Sequence, residues 1–313
     1  MTQTAYLIKE ADQSILHALA RFHYLTAAQA IRLLYPNNND PRARYAQKLF
    51  KRLVDAGYVL RLRALPMPRV GSAAHVFTLA KKGREYVQGM GVLVEPYFRP
   101  SREKDASENS PFMLHRLAAI DVMITAERLC WDVPQVSCPR MLSERELKRG
   151  AVRVEVPASR KDNSDGPRKV AVIPDAWFQL SINDNPPMSI ALELDRATED
   201  QKVWRQKVAA YAVWANGPYQ DAFEADNLTI AVVCPNERRR AVLMEWTMKE
   251  LKSRSLEEYA QLFLFTATSP VTVSPTRFFF SKVWRQADSH LPVRLIDPPV
   301  PPTSERGVVF QTV

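Results

Sequence analysis

The sequence predicts an α+β protein of two domains: a small basic module of helices with a β-ribbon, then a larger α/β domain built on a mixed sheet. Three observations indicate this. The chain has 313 residues, more than a single hydrophobic core usually serves. Its net charge of +9 lies entirely in residues 1–91, which hold 14 Lys or Arg against 5 Asp or Glu. The later residues carry apolar runs of strand length between helical patterns.

Composition narrows the class of protein. The hydrophobic content of 46% and the charged content of 25% are those of a globular protein. The sequence has no apolar run of membrane-spanning length and no signal-peptide layout, so we expect no membrane contact. Cys130, Cys138 and Cys234 form neither a zinc pattern nor a disulfide framework, which fits a reducing cytoplasm. The sequence has nine glycines and lacks a Gly-rich phosphate loop, which disfavours a nucleotide-binding fold.

Residues 1–91 are predicted to contain three helices and a β-ribbon. Apolar residues at helical spacing mark the first helix, residues 11–22. Thr26 caps a second helix that stops at Pro36, and Asp40 with Pro41 begins a third that runs to Gly57. Strands follow at residues 58–63 and 74–79, separated by a tip rich in Pro, Gly and Ser. This order is typical of a winged helix-turn-helix domain.

The third helix carries a basic stripe opposite its apolar face, which is the layout of a helix that contacts double-stranded DNA. A solvated charged face is the alternative for this helix taken alone. The following ribbon adds further arginines. The predicted DNA-binding residues are Arg42, Arg44, Gln47, Lys48, Lys51 and Arg52 from the helix, and Arg61, Arg63 and Arg69 from the ribbon.

The remaining residues divide into a linker, a second domain and a tail. Residues 92–111 have three prolines and mixed charge, which indicates a linker. Residues 112–296 form the second domain, and residues 297–313 a Pro-rich extended tail. Within the second domain, helices at 112–131, 198–214 and 237–253 alternate with strands, which is typical of a restriction-endonuclease-like mixed sheet flanked by helices. His115 lies on the apolar face of the first of these helices, as a core histidine or as a ligand.

Two strand-like apolar runs in this domain carry acids. Asp175 follows the run 170–173, and Glu193 and Asp195 end the run that starts at Ile190. A buried carboxylate is costly unless it is paired or holds a metal. Clustered carboxylates are the ligands that Mg²⁺ or Mn²⁺ prefers, and such ions support phosphoryl-transfer chemistry. If the domain is an active metal-dependent enzyme, the predicted ligands of Mg²⁺ or Mn²⁺ are Asp175, Glu193 and Asp195.

The spacing of these acids resembles the core of the PD-(D/E)xK nucleases, with Asp195 where that core has lysine. On the next helix, Lys207 projects from the apolar face, where it needs a carboxylate partner such as Glu193 or Asp195. One interpretation is that Lys207 supplies the charge of the motif lysine, so that the catalytic set is Asp175, Glu193, Asp195 and Lys207. The other is a structural ion pair whose lysine stem reaches outward.

Five strings are similar, in content and order, to the replication-relaxation family of plasmid and mobile-element proteins: FTLAKKGREYV, MLHRLAAIDVMI, VIPDAWFQL, ALELDRATE and RQKVAAYAVW. With the helices before them they span residues 11–235. The resemblance implies a winged helix joined to a nuclease-like domain, and a role in plasmid replication, relaxation or transfer.

Three functions stay open at this point. The first is a DNA-binding accessory protein of a plasmid or mobile element, with a degenerate nuclease-like domain. Its partners would be double-stranded DNA and a relaxase or replication protein. The second is a Mg²⁺-dependent DNA endonuclease that nicks or cleaves. The third is a winged-helix transcriptional regulator, and a homodimer is compatible with each of the three.

Overall fold

A computed structural model describes most of the chain, namely residues 6–35, 41–62, 75–94, 111–157, 166–183, 185–197, 199–289 and 291–299. For residues 41–45 and 111 it describes the backbone alone. The protein is mixed α and β, and its main sheet has parallel and antiparallel strands, so the predicted α+β class and mixed sheet are confirmed. Within the described ranges, no helix is long and apolar enough to cross a membrane.

The described residues between 6 and 94 form an N-terminal unit of helices around a small antiparallel sheet with strand order β1-β3-β2. Every helix and both ribbon strands predicted before residue 80 are present, and the ends that lie within the described residues agree to within two residues. Asp40, predicted to cap the third helix, and the predicted strand ends at residues 63 and 74 lie outside the described residues. The tip of the ribbon lies outside the described residues. The elements are α1 (Glu10–Phe22), β1 (Leu25–Thr26), α2 (Ala27–Leu34), α3 (Pro41–Asp55), β2 (Val59–Leu62), β3 (Val76–Leu79) and α4 (Lys81–Gly89).

Local sequence explains how this unit is arranged. The Thr26 hydroxyl accepts a hydrogen bond from the Gln29 N–H (3.2 Å), and the Gln29 side chain accepts one from the Thr26 N–H (3.0 Å). This reciprocal cap starts α2 directly after β1. On α3, the buried Phe50 stacks on Phe77 of β3 with 4.1 Å between ring centroids. The apolar face of α3 is therefore held on the small sheet, and its polar face is left outside.

In the described residues of the C-terminal part, eight strands form a main sheet with the order β13-β12-β11-β10-β9-β8-β4, in which β5 also pairs with β8. Strands β9, β10 and β11 are parallel, and the other pairs are antiparallel. The elements are α5 (Pro111–Asp132), β4 (Val136–Ser137), β5 (Met141–Ser143), α6 (Glu144–Arg149), β6 (Val152–Val156), β7 (Arg168–Val172), β8 (Ala176–Ile182), β9 (Met188–Leu194), α7 (Gln201–Ala215), α8 (Pro218–Phe223), β10 (Thr229–Val233), α9 (Glu237–Arg254), a 3₁₀-helix (Glu257–Leu262), β11 (Phe263–Thr266), α10 (Pro275–Phe280), β12 (Trp284–Gln286) and β13 (Pro292–Val293).

Alternating side chains of β9 distinguish the two faces of the main sheet. Ile190, Leu192 and Leu194 belong to the core that contains α5 and α10, whereas Ala191 belongs to the core that contains α7 and α9. Since strand side chains alternate, the odd-numbered Glu193 points to the face that α7 and α9 cover. The face on which Glu193 lies thus follows from the period of the strand.

The sequence placed Asp175 at the end of a strand formed by the apolar run 170–173, and the structure differs. Residues 168–172 form β7, which pairs with β6 in a separate two-stranded sheet. Asp175 instead precedes β8, the antiparallel neighbour of β9. The physical reason is that Pro174 lacks the N–H that would continue the first ladder, whereas residues 176–181 are all buried. Because β8 and β9 are antiparallel, the start of β8 meets the end of β9, and the acids still converge.

The N-terminal unit packs on α5 through polar contacts. The Gln29 side chain donates to the Leu117 carbonyl (2.8 Å) and to Asp121 Oδ1 (3.1 Å). Arg32 pairs with the same carboxylate (3.0 Å) and donates to the Asp121 carbonyl (2.7 Å). These contacts join the regions predicted as two domains. The linker at 92–111 and the tail at 297–313 lie mostly outside the described residues.

Candidate functional site

Asp175 and Glu193 lie side by side where β8 begins and β9 ends. The register pairs Ala176 with Leu192, which places Asp175 opposite Glu193. The Asp175 N–H donates to the Leu192 carbonyl (2.9 Å), and the Leu194 N–H donates to Asp175 Oδ2 (2.8 Å). Antiparallel pairing therefore holds the Asp175 carboxylate against β9.

Helix α7 covers Glu193 and supplies its partners. Lys207 Nζ donates to Glu193 Oε2 (2.8 Å) and to Glu199 Oε1 (2.5 Å). Tyr211, one turn further along, donates its hydroxyl to Glu193 Oε1. The side chain of Glu193 is only 2% exposed. The sequence suggested Glu193 or Asp195 as the carboxylate partner of Lys207. In the structure the partner is Glu193, and Asp195 pairs with another residue.

Burial controls the protonation of this cluster. Burial, aided by the charge of Asp175 and opposed by Lys207, raises the pKa of Glu193 to about 7. Burial by itself would lower the pKa of Lys207, but the charges of Glu193, Glu199 and Asp175 outweigh it and raise that pKa. Burial also raises the pKa of Tyr211. Lys207 is therefore a permanent cation at neutral pH, and Tyr211 stays a hydrogen-bond donor.

His115 of α5 reaches Asp175 from the other direction. Its Nε2 lies 2.8 Å from Asp175 Oδ1. Burial would lower the pKa of His115, but the hydrogen bond and the charge of Asp175 outweigh burial and raise it. A cavity of about 20 Å³ adjoins this pair, and its lining includes His23 and Arg145. That volume has room for about one water molecule, so a phosphodiester does not fit beside Asp175 in this conformation.

Asp195 belongs to a separate ion pair. Arg239 of α9 donates to both of its carboxylate oxygens, from Nε (2.7 Å) and from a terminal nitrogen (2.8 Å). The Ala197 N–H also donates to Asp195 (3.0 Å), and the carboxylate side chain is fully buried. The same guanidinium donates to the Glu199 carbonyl (2.7 Å) and lies 5.0 Å from the ring centroid of Trp246. The residue that replaces the motif lysine is thus held by a bidentate arginine.

The three predicted metal ligands do not fit a shared divalent cation. Every carboxylate oxygen of Asp175, Glu193 and Asp195 has a hydrogen-bond or ion-pair partner within the protein. Among the described residues, no three His, Cys, Asp or Glu side chains are placed to hold a metal ion. The arrangement is a closed network in which each buried acid has its own partners.

A second candidate surface lies on the N-terminal unit, at the polar face of α3. A groove of about 550 Å³ runs between α2, α3 and the ribbon. Its polar lining includes Gln47, Lys51, Asp55, Arg61 and His75. Of these, Lys51 and Arg61 are exposed cations, which come from α3 and β2 respectively. The fold therefore brings predicted DNA-binding residues of the helix and of the ribbon to one surface.

The other predicted DNA-binding residues have different positions. Lys48 is exposed on α3. Arg52 is half-buried, and its guanidinium lies 2.9 Å from the fully buried carboxylate of Asp12. Arg52 therefore compensates a buried charge within the N-terminal unit. The described side chains do not include Arg42, Arg44, Arg63 and Arg69.

Comparison with known proteins agrees with the sequence resemblance. The family model described as replication-relaxation matches residues 16–225, well over half of the chain. The chain belongs to the replication-relaxation family. No curated protein and no solved structure matches it. In this replication-relaxation protein the matched range includes Asp175, Glu193 and Lys207 but ends before Arg239. The Asp195–Arg239 pair therefore joins the family region to a segment beyond it.

Three members of the network of this replication-relaxation protein carry no clear signal in its sequence. The helical period places Tyr211 on the apolar face of α7, where a tyrosine is usually a core residue. Its spacing of one turn from Lys207 is the single hint that it is a second donor. Glu199 lies just before the N-terminus of α7. An acid is common there because it interacts favourably with the helix dipole, so its position does not indicate a partner for Lys207. Arg239 is one of three consecutive arginines, and nothing in the sequence distinguishes it from its neighbours. For His115, the structure shows a half-buried histidine whose Nε2 is paired with Asp175, which is a satisfied side chain within the fold.

Proposed function

We propose that this replication-relaxation protein is a DNA-binding accessory factor of a plasmid or other mobile element. Its N-terminal unit is a winged helix that docks on double-stranded DNA through α3 and the β2–β3 ribbon. Its C-terminal part is a nuclease-like domain whose carboxylate network is structural. The protein acts in the cytoplasm, in replication or relaxation, together with a relaxase or replication protein.

The observation that carries this proposal is the shared groove of α3 and the ribbon. Exposed Lys51 and Arg61 lie on elements that the apolar core holds in place, so their charges are presented together. The charge excess of the first 91 residues favours approach to a polyanion. Contacts from a helix to the major groove and from a ribbon to the flanking backbone would use this layout.

The closed carboxylate network supports the scaffold role of the C-terminal part. A nuclease needs at least one acid with oxygens available to a metal or to water. Here Asp195 is saturated by Arg239, Glu193 by Lys207 and Tyr211, and the cavity beside Asp175 admits about one water. The ion pairs of Lys207 and Arg239 also hold α7 and α9 against the main sheet, so they stabilise the fold.

The double variant Lys51→Gln with Arg61→Gln tests the DNA surface. We would measure binding to a labelled duplex by fluorescence anisotropy across a range of salt concentrations. Loss of two phosphate contacts should weaken binding and reduce the slope of log K against log salt by about 2. The matched control removes two exposed cations of α9, Lys249→Gln with Lys252→Gln, and should bind as wild type. An unchanged slope in the first variant would refute the assignment.

One observation favours a second candidate, a DNA endonuclease: Asp175, Glu193 and Lys207 converge at one point. The test is nicking of a supercoiled plasmid in the presence of Mg²⁺ by the wild type and by Glu193→Gln. Absence of nicking in both proteins supports the scaffold role. Nicking by the wild type that is lost in Glu193→Gln would replace the scaffold role with that of a nuclease.

A further inference from the structure

The groove between α2, α3 and the ribbon contains side chains that a surface for the phosphate backbone alone would not need. It is lined by Gln47, Lys51 and Asp55 of α3 and by Arg61 of β2, and all four are exposed. Within the part of the chain that the structure describes, none of the four side chains has a hydrogen bond or an ion pair. The groove therefore offers a ligand a free amide and a free carboxylate as well as two free cations.

The free acid in this groove argues against a surface for phosphate alone. Phosphate oxygens are attracted by lysine and arginine, whereas an unpaired carboxylate repels them. Base pairs differ from the backbone, because their major-groove edges present hydrogen-bond donors as well as acceptors. A groove that places Gln47 and Asp55 beside Lys51 and Arg61 is therefore suited to base edges as well as to the backbone.

Helix α3 holds the backbone of Gln47 in a fixed position. The neighbouring Ala46, Leu49 and Phe50 are all buried, and Phe50 stacks on Phe77 of the ribbon. A side chain distinguishes bases only when its element is held firmly, since the geometry of a hydrogen bond tolerates little displacement. Gln47 combines an exposed amide with a backbone that the core fixes, which are the two properties that base recognition requires.

We propose that Gln47 reads an adenine in the major groove, so that the protein binds duplex DNA with a sequence preference. The inference rests on the proposed DNA-binding function and names the base that the same groove selects. A glutamine amide matches adenine through two hydrogen bonds, because its carbonyl accepts from N6 and its NH₂ donates to N7. Lys51 and Arg61 bind the flanking phosphates, which sets the register without selecting a sequence. Asp55 keeps the backbone away from its own end of the groove.

The test is selection by the full chain from a pool of duplexes with a randomised central segment, followed by sequencing of the bound fraction. The wild type should prefer adenine at one position by about tenfold in affinity. Gln47→Ala should lose this preference, and Gln47→Glu should replace it with cytosine, whose N4 donates to a carboxylate. The matched control is Gln88→Ala, an exposed glutamine of α4, which should keep the preference for adenine. A preference that persists in Gln47→Ala would overturn the inference.

Salt dependence separates this inference from the proposed function. Gln47→Ala removes no charge, so its slope of log K against log salt on a mixed-sequence duplex should equal that of the wild type, whereas Lys51→Gln with Arg61→Gln lowers the slope. If the wild type binds duplexes but enriches no base, Gln47 does not read sequence and the proposed DNA binding stands. If the wild type binds no duplex, both proposals fail.

The variant Asp55→Asn tests whether DNA enters the groove itself. Removal of the acid should strengthen binding to a mixed-sequence duplex by about threefold at low salt, because its repulsion of phosphate is lost. The preference for adenine should persist, since Gln47 is unchanged. An affinity equal to that of the wild type would place the DNA outside the groove and overturn the inference. Both positions are exposed, so these variants should fold as the wild type does, which circular dichroism checks.

Discussion

Replacement of Lys207 by methionine tests the network most directly. Methionine keeps the length and the apolar stem of the side chain but removes the charge that Glu193 and Glu199 share. Glu193 is then left almost fully buried, with Tyr211 as its remaining donor in α7. Because a buried carboxylate without a cation is costly, the folded state should lose stability.

The expected magnitude is about 2 kcal/mol at pH 7, less than the roughly 3–5 kcal/mol typical of a broken buried pair. Two features of the site reduce it. The Lys207 side chain is 33% exposed, so solvent already screens part of its charge. Glu193 can also take up a proton, since its pKa is about 7 with Lys207 present and rises further without it. For a chain of 313 residues, a loss of about 2 kcal/mol corresponds to a fall in Tm of roughly 3 °C.

The pH dependence provides a second signature. Because the pKa of Glu193 is higher in the folded than in the unfolded chain, acidification from pH 7 towards the unfolded value of 4.5 stabilises the fold. This gain is larger in the variant, so the deficit of Lys207→Met should shrink as pH falls. Urea denaturation followed by circular dichroism measures both quantities. The control is Lys202→Met, an exposed lysine of the same helix, which should change stability by less than about 0.5 kcal/mol. A Lys207→Met variant as stable as this control, at every pH, would refute the network.

Three further predictions concern other parts of the fold. His23 has a folded pKa of about 4 against 6.5 unfolded, so its contribution to stability is complete above pH 6.5 and falls by up to about 3 kcal/mol by pH 4. In His23→Asn, urea denaturation should show a correspondingly smaller acid loss, and an unaltered pH profile would contradict this. A Cβ on Gly83 would lie 2.1 Å from the Tyr58 carbonyl oxygen, so Gly83→Ala should lower Tm clearly, whereas Gly89→Ala in the same helix, with open space around it, should not. Arg239→Met leaves the buried Asp195 without its bidentate partner and should cost about 3 kcal/mol in the same denaturation assay, against no measurable loss for the exposed Arg238→Met.

Much of the fold follows from short-range pattern. Thr26 with Gln29 starts α2, the apolar positions of α3 decide which face meets the small sheet, and the period of α7 directs Lys207 to the sheet. Such features depend on residues a few positions apart, whose geometry the helix itself sets. Membership of the replication-relaxation family was predictable for a similar reason, since its matching strings are local.

The partners of the acids depend instead on contacts between distant segments. His115 is far from Asp175 in the chain, and Arg239 is also far from Asp195, so no local period links either pair. The predicted cluster of three metal ligands placed Asp195 with Asp175 and Glu193, because all three follow or end apolar strand-like runs. In the folded chain α9 supplies an arginine to one acid and α7 a lysine to the other, which separates them.

Local pattern therefore accounts for the α+β class, the basic character of the N-terminal unit and the burial of the acids, because hydrophobic period and charge act along the chain. The antiparallel approach of β8 to β9 arises from packing, and so does the pairing of Asp175, Glu193 and Asp195 with protein donors. A buried charge is stable only beside its partner, and the partner is chosen by which helices the sheet brings over it.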